Sequence, residues 1–225
     1  MMNTASESAG STPAVFTAWR DLQIDGRLKP DQDARILRSD SATRLRIAST
    51  TCVPGLLQAR SWATAMAGEL PVLGQYQPRD GEAAAQARLA RQRILTEPGR
   101  DIHILMHLAA LRTRRPRTVF DEQIEHLTRA THAEHYRFGV IPDFAVTGIE
   151  LASDFWLYDD AMVEIATVAG EVRSTAREDV ELCGRVFDVF AATACYGRTA
   201  RHLLATVAGA ARQAPAASPT IGSES

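Results

Sequence analysis

The chain has 225 residues, 45% of them apolar and 23% charged, with a formal charge of −2 from 25 basic and 27 acidic side chains. These are the values of one ordinary globular domain, and they argue against broad electrostatic attraction to nucleic acid or anionic membrane. No apolar run approaches the ~20 residues that span a bilayer, and Met1 to Thr12 has neither the basic nor the apolar part of a secretory signal.

Taken in chain order, residues 1–14 and Gln213–Ser225 read as polar, disordered tails flanking a single domain over 15–212. Phe16, Trp19 and Leu22, spaced by three, predict a short helix from Phe16 to Gln23. Asp31 to Thr50 reads as a longer helix, with Ile36, Leu37, Leu45 and Ile47 among arginines. Pro54 suits the first turn of a helix reaching about Gly68. Asp80 to Leu95 is a third helix, Ala-rich, with Asp80 as its cap.

Ile102 to His107 reads as a strand, Ala109 to Arg112 as one helical turn, Phe120 to Thr131 as a helix and Tyr136 to Ile141 as a strand. Phe144 to Val168 reads as two strands turning at Asp159-Asp160, and Glu171 to Arg173 as a further strand. Thr175 to Tyr196 is a long helix with a stripe of Val180, Cys183, Phe187, Phe190 and Ala194, and Arg198 to Arg212 continues helical. The order predicts an α+β fold: a small, largely antiparallel sheet with N-terminal helices and a long C-terminal helix packed on it.

The phosphate loop, the dinucleotide-binding glycine motif, the serine elbow and paired C-x-x-C are all missing, so no cofactor and no metal site are expected. Three cysteines, Cys52, Cys183 and Cys195, are too few for a disulfide scaffold, which suits a cytoplasmic protein with reduced thiols. His103 and His107 share a face if they lie on a strand. In SDFWLYDD, Asp154, Trp156 and Tyr158 alternate onto one side, the make-up of a polar-aromatic pocket. Glu164, across the hairpin, would join Asp154 as an acid/base pair. Arg88, Arg91 and Arg93, with Gln92, and the RTRRPRT run from Arg112 to Thr118 could hold a phosphate or carboxylate. The plain alternatives are a solvated sheet face and solvated basic surfaces.

Three landmarks carry a resemblance: VPGLLQARSWATAM (Val53 to Met66), ARLARQRIL (Ala87 to Leu95), and the pair LAALRT (Leu108 to Thr113) and VIP (Val140 to Pro142). In order and spacing they resemble the C-terminal domain of unknown function of actinobacterial XRE-type helix-turn-helix regulators, antitoxin-like regulators of development and secondary metabolism. The resemblance runs from about Trp19 to Arg212. It implies a domain that receives a signal or partner. Only about fifteen polar residues precede the shared region, too few for a recognition helix. Leu108 stands where that family often has glutamate, and Glu164-Ile165-Ala166 where it has Y-x-E.

Two expectations follow. One is a stand-alone ligand- or partner-binding domain, its pocket lined by Trp156, Tyr158 and Phe144, working with a partner regulator and without direct DNA contact. The other is a cofactor-independent enzyme of secondary metabolism, a cyclase, isomerase, dehydratase or hydrolase. In it Asp154, Glu164, His103 and His107 would transfer protons. A homodimer or scaffold is a third, plainer reading.

Overall fold

A computed structural model describes residues 14–22, 27–69, 79–112, 115–150 and 152–213. Apart from Ala14 and Gln213, the two polar tails lie outside the described residues. The expected first helix is instead strand β1 (Val15–Ala18) followed by one helical turn, α1 (Trp19–Leu22). Pairing of Phe16 with Val172 in the sheet overrides a spacing of three that only a longer helix could exploit.

The expected helix from Asp31 to Thr50 divides into α2 (Lys29–Ser41) and β2 (Arg44–Ser49). Leu45 and Ile47 alternate with Arg44 and Arg46, a period of two that belongs to a strand. A 3₁₀ turn (Gly55–Leu57) precedes α3 (Arg60–Glu69), and α4 (Gly81–Ala90) runs on into a 3₁₀ turn (Arg91–Thr96). Asp80 caps a different helix from the one it precedes. Its carboxylate accepts hydrogen bonds from Leu28 N (2.8 Å) and Lys29 N (2.9 Å), at the start of α2.

The remaining elements are β3 (Asp101–His107), a 3₁₀ turn (Leu108–Leu111), α5 (Arg117–Ala130), β4 (Arg137–Ile141), β5 (Phe155–Tyr158), β6 (Met162–Ala166), β7 (Gly170–Ser174), α6 (Arg177–Thr193) and α7 (Gly197–Gln213). The β5–β6 turn is where the sequence places it. Asp159 and Asp160 both take left-handed backbone (φ 51° and 53°), and Ala161 N donates to Tyr158 O.

The α+β class holds, but the sheet is mixed and seven-stranded, in the order β1-β7-β6-β5-β2-β3-β4. β2 pairs parallel with β3, and β3 parallel with β4; the other neighbours are antiparallel. β3 and β4 are covered on both faces and are mostly apolar, while β2 keeps Arg44 and Arg46 in alternation with its apolar residues. On one face Ile47, Ile104, Met106 and Val140 pack with Trp62 of α3, Leu127 of α5 and Leu204 of α7. On the other Ala48, Leu105, Leu157 and Val163 pack under Val180, Phe187 and Phe190 of α6. No helix among the described residues is long and apolar enough to cross a membrane.

Candidate functional site

α2 lies on the sheet with its polar side inward. Gln32, Arg35 and Ser39, at helical spacing, are buried, while Leu37 is 71% exposed. A surface helix ordinarily turns its apolar stripe to the core, so this inversion has a specific cause. Beneath α2, Trp156, Glu164 and Arg173 sit in register across β5, β6 and β7. Glu164 and Glu171 are buried (0% and 1% exposed).

Arg35 ion-pairs with Glu164, Glu171 and Asp31, and its guanidinium carbon lies 5.8 Å from the Trp156 ring centroid. Arg38 adds a contact of 3.0 Å to Glu164, and Arg173 one of 2.8 Å to Glu171. Burial opposes the charge on Arg35, but Glu164, Asp31 and Glu171 outweigh it and hold its pKa above the ordinary arginine value. Burial, helped by Glu164, raises the pKa of Glu171 against the pull of Arg35 and Arg173.

Two of the sequence landmarks meet beside this layer. Gln92 of ARLARQRIL donates from Nε2 to the carbonyls of Gly55 (3.3 Å) and Gln58 (2.7 Å) in VPGLLQ. Gln123 of α5 accepts from Ala59 N and donates to Leu57 O. Glutamines thus satisfy a buried irregular segment whose backbone has no ladder partner. Gly55 lets Arg91 approach closely, because a Cβ there would sit 2.7 Å from Nη2 and the end of the arginine would have to shift.

Among the described residues, Arg88 donates only to neutral groups: Gln32 Oε1 (3.3 Å), Gln58 Oε1 (3.2 Å) and Met66 Sδ (3.7 Å). Arg91 is 7% exposed, and its Nε is buried without an acceptor. Burial pushes its pKa down to about 10. Tyr158 and Glu164 work against that shift, and Arg35 and Arg88 add to it. The charge therefore persists at neutral pH.

The seven residues expected to form a site divide between places. Trp156, Tyr158 and Glu164 belong to the layer under α2; burial and Glu164 raise the Tyr158 pKa. Asp154, 3% exposed, is engaged by the β2–α3 segment. Its Oδ1 accepts from Thr50 N (2.6 Å), Thr50 Oγ1 (3.0 Å) and Thr51 N (3.2 Å), and its Oδ2 from Cys52 Sγ (2.9 Å). Burial and that carboxylate push the Cys52 thiol far up, so it stays protonated.

His103 lies on the opposite face of the sheet, edge-on to Phe187 of α6 and 2.9 Å from the Tyr196 hydroxyl. Burial lowers its pKa to about 4, and Arg137 adds to the effect. His107 Nδ1 accepts from Ala109 N (3.0 Å), so this ring is a neutral cap on the following 3₁₀ turn. Phe144 is 96% exposed with left-handed backbone (φ 62°) and lines nothing under α2. The four groups expected to move protons therefore do not converge: strand alternation sends His103 to the α6 side and Glu164 to the α2 side. Among the described residues, no group of three or more His, Cys, Asp or Glu is set to hold a metal ion.

Reading the sequence for apolar stripes misses Asp31, Gln32, Arg35, Arg38 and Glu171. The available signal was the spacing of Gln32, Arg35 and Ser39 in α2, three and four apart, where a core stripe should stand. Exposed Arg93, paired with Asp40 at 2.8 Å, separates from Arg88 and Arg91. Of the RTRRPRT run, Arg115 stacks on Trp62 at 4.3 Å, and Arg112 reaches Asp143 at 2.7 Å.

The domain of unknown function DUF5753 matches residues 37–206. No curated protein matches the sequence. Among solved structures, the chain is similar to TrmBL2, an archaeal chromatin protein, at 10% identity and TM-score 0.40 over 82% of this chain and 55% of that one. It thus spans about half the length of that protein. It is also similar to NucT from Helicobacter pylori (9% identity, TM-score 0.44, 82% of this chain and 98% of that one). A third is Nuc from Salmonella typhimurium, a phospholipase D family member (13%, TM-score 0.38, 74% and 92%).

Proposed function

We propose, from the premise that this chain belongs to the DUF5753 family, that it is a receptor domain which binds a small ligand without chemical change. The observation that supports this reading is the layer under α2. There, buried polar groups surround Trp156, and the Nε of buried Arg91 has no acceptor among the described residues. Buried polar groups are normally satisfied, and a fold needing only stability would place apolar side chains at these positions.

Binding is favoured over acid/base catalysis because the groups suited to proton transfer are held elsewhere. Asp154 is occupied by backbone, Glu164 is clamped by arginines, and His103 is on the far face. As the sensing half of an XRE-type regulator system, the domain would bias a partner regulator that makes the DNA contact. Occupancy acts by stabilising one arrangement of α2 on the sheet.

The test is a thermal-shift screen of the full chain against neutral, cationic and anionic organic compounds, with mass spectrometry of each mixture. The reading expects compounds that raise Tm in the wild type, fail to do so in Trp156→Ala, and emerge unaltered. Turnover of a binder, abolished in Glu164→Gln, would replace it with the enzyme reading. A complete absence of binders would remove the receptor reading.

A further inference from the structure

The paired arginines Arg88 and Arg91 stand out within the buried layer. Three residues apart at the end of α4, they share a face. Asp31, Glu164 and Glu171 are already engaged with Arg35, Arg38 and Arg173. Arg88 meets only amide oxygens and a thioether, and Arg91 has no hydrogen bond and no ion pair among the described residues.

We infer that Arg91, supported by Arg88 and Tyr158, forms an oxyanion site that takes the phosphate or carboxylate group of the ligand. This rests on the receptor reading above and names the chemistry of what is received. Three physical points converge on it. A guanidinium presents a planar fork of donors that matches an oxyanion bidentately. Burying a guanidinium whose Nε meets no acceptor is costly, so an arginine kept in that state suits a partner that arrives from outside. The segment facing it approaches closely, since a Cβ at Gly55 would come within 2.7 Å of Nη2 and the end of the arginine would have to shift. Arg93, on the same stretch but exposed and paired with Asp40, supplies an internal control.

The experiment titrates the full chain with sodium phosphate, phenyl phosphate, sodium acetate and sodium benzoate at constant ionic strength, sodium chloride being the reference. Binding is followed by thermal shift and calorimetry. At least one oxyanion is expected to bind saturably, and the phosphate and carboxylate arms identify the source. Arg91→Met should unfold at a higher temperature than the wild type without ligand, because a charge disfavoured by burial and by Arg35 and Arg88 has gone, and should bind at least tenfold more weakly. Arg88→Met should also weaken binding at least tenfold, and Arg93→Gln should bind as the wild type does.

Unchanged affinity in Arg91→Met, or no oxyanion effect beyond chloride, overturns the assignment. If neither oxyanion class binds while a neutral compound binds in a Trp156-dependent way, only the oxyanion assignment fails. If nothing binds at all, the receptor reading fails with it.

Discussion

Replacing Glu164 by glutamine tests how the layer under α2 is held together. The carboxylate is fully buried and is the one ion-pair partner of Arg38 among the described residues; it is also one of three partners of Arg35. Breaking a buried pair from one side costs about 3–5 kcal/mol, because the remaining charge loses its compensation. Arg35 keeps Asp31 and Glu171, and the Arg38 side chain is 17% exposed and can draw partly on water. The loss should therefore fall near the lower end, about 3 kcal/mol. At about 2–4 °C per kcal/mol for a domain of this size, Tm drops by about 6–12 °C. Urea unfolding at pH 7, followed by far-UV circular dichroism, measures the first quantity and calorimetry the second. In an Arg35→Met, Arg38→Met background the same substitution should cost little, since only Arg173, 4.0 Å from the carboxylate, then remains as a partner among the described residues. A single-substitution loss below 1 kcal/mol, or an equal loss in both backgrounds, would refute the idea that these charges compensate one another.

Asp154→Asn should destabilise by about 2 kcal/mol in the same assay, because the amide keeps one acceptor oxygen where the carboxylate serves Thr50, Thr51 and Cys52. His103 supplies a pH dependence. The unfolded chain takes up a proton near pH 6.5 that the folded chain refuses until about 4, so stability falls as pH drops through that window, by up to about 3 kcal/mol. His103→Gln should flatten the slope between pH 6.5 and 4, and an unchanged slope would exclude His103 as its source. Gly170→Ala would place a Cβ 2.2 Å from the Thr17 carbonyl. Hydrogen exchange should then show lost protection at the amides of β1 that bond to β7, with the rest of the sheet unaffected.

Most of the second half of the fold was legible in the sequence. The apolar run ending at His107, the Asp159-Asp160 turn and the α6 stripe of Val180, Phe187 and Phe190 each carry one dominant period. The first half was harder to read because two periods overlap there. Leu45 and Ile47 fit a continuation of α2 as well as a strand, and only their place between β3 and β5 decides. The hairpin side of the candidate site, Trp156, Tyr158 and Glu164, could be read from alternation together with the Asp159-Asp160 turn, which sets the register of β5 on β6. Its α2 side could not, because a buried Arg35 is indistinguishable from a solvated one until Glu164 and Glu171 are seen opposite it. The pooling of His103 with Glu164 failed for a related reason: alternation places residues of one strand relative to each other, and says nothing of how two strands share faces until the register is known.

The central claim, that the arginine layer under α2 receives an anionic ligand, is tested most directly at the guanidinium itself. The Nε–Hε resonance of Arg91, assigned by its loss in Arg91→Met, can be followed in ¹⁵N-labelled protein during titration with phenyl phosphate and with benzoate at constant ionic strength. A saturable shift of that resonance is expected with one of the two, at a midpoint shared with Tyr158 and absent from Arg93. An Arg91 resonance that stays in place while the exposed arginines respond would contradict it.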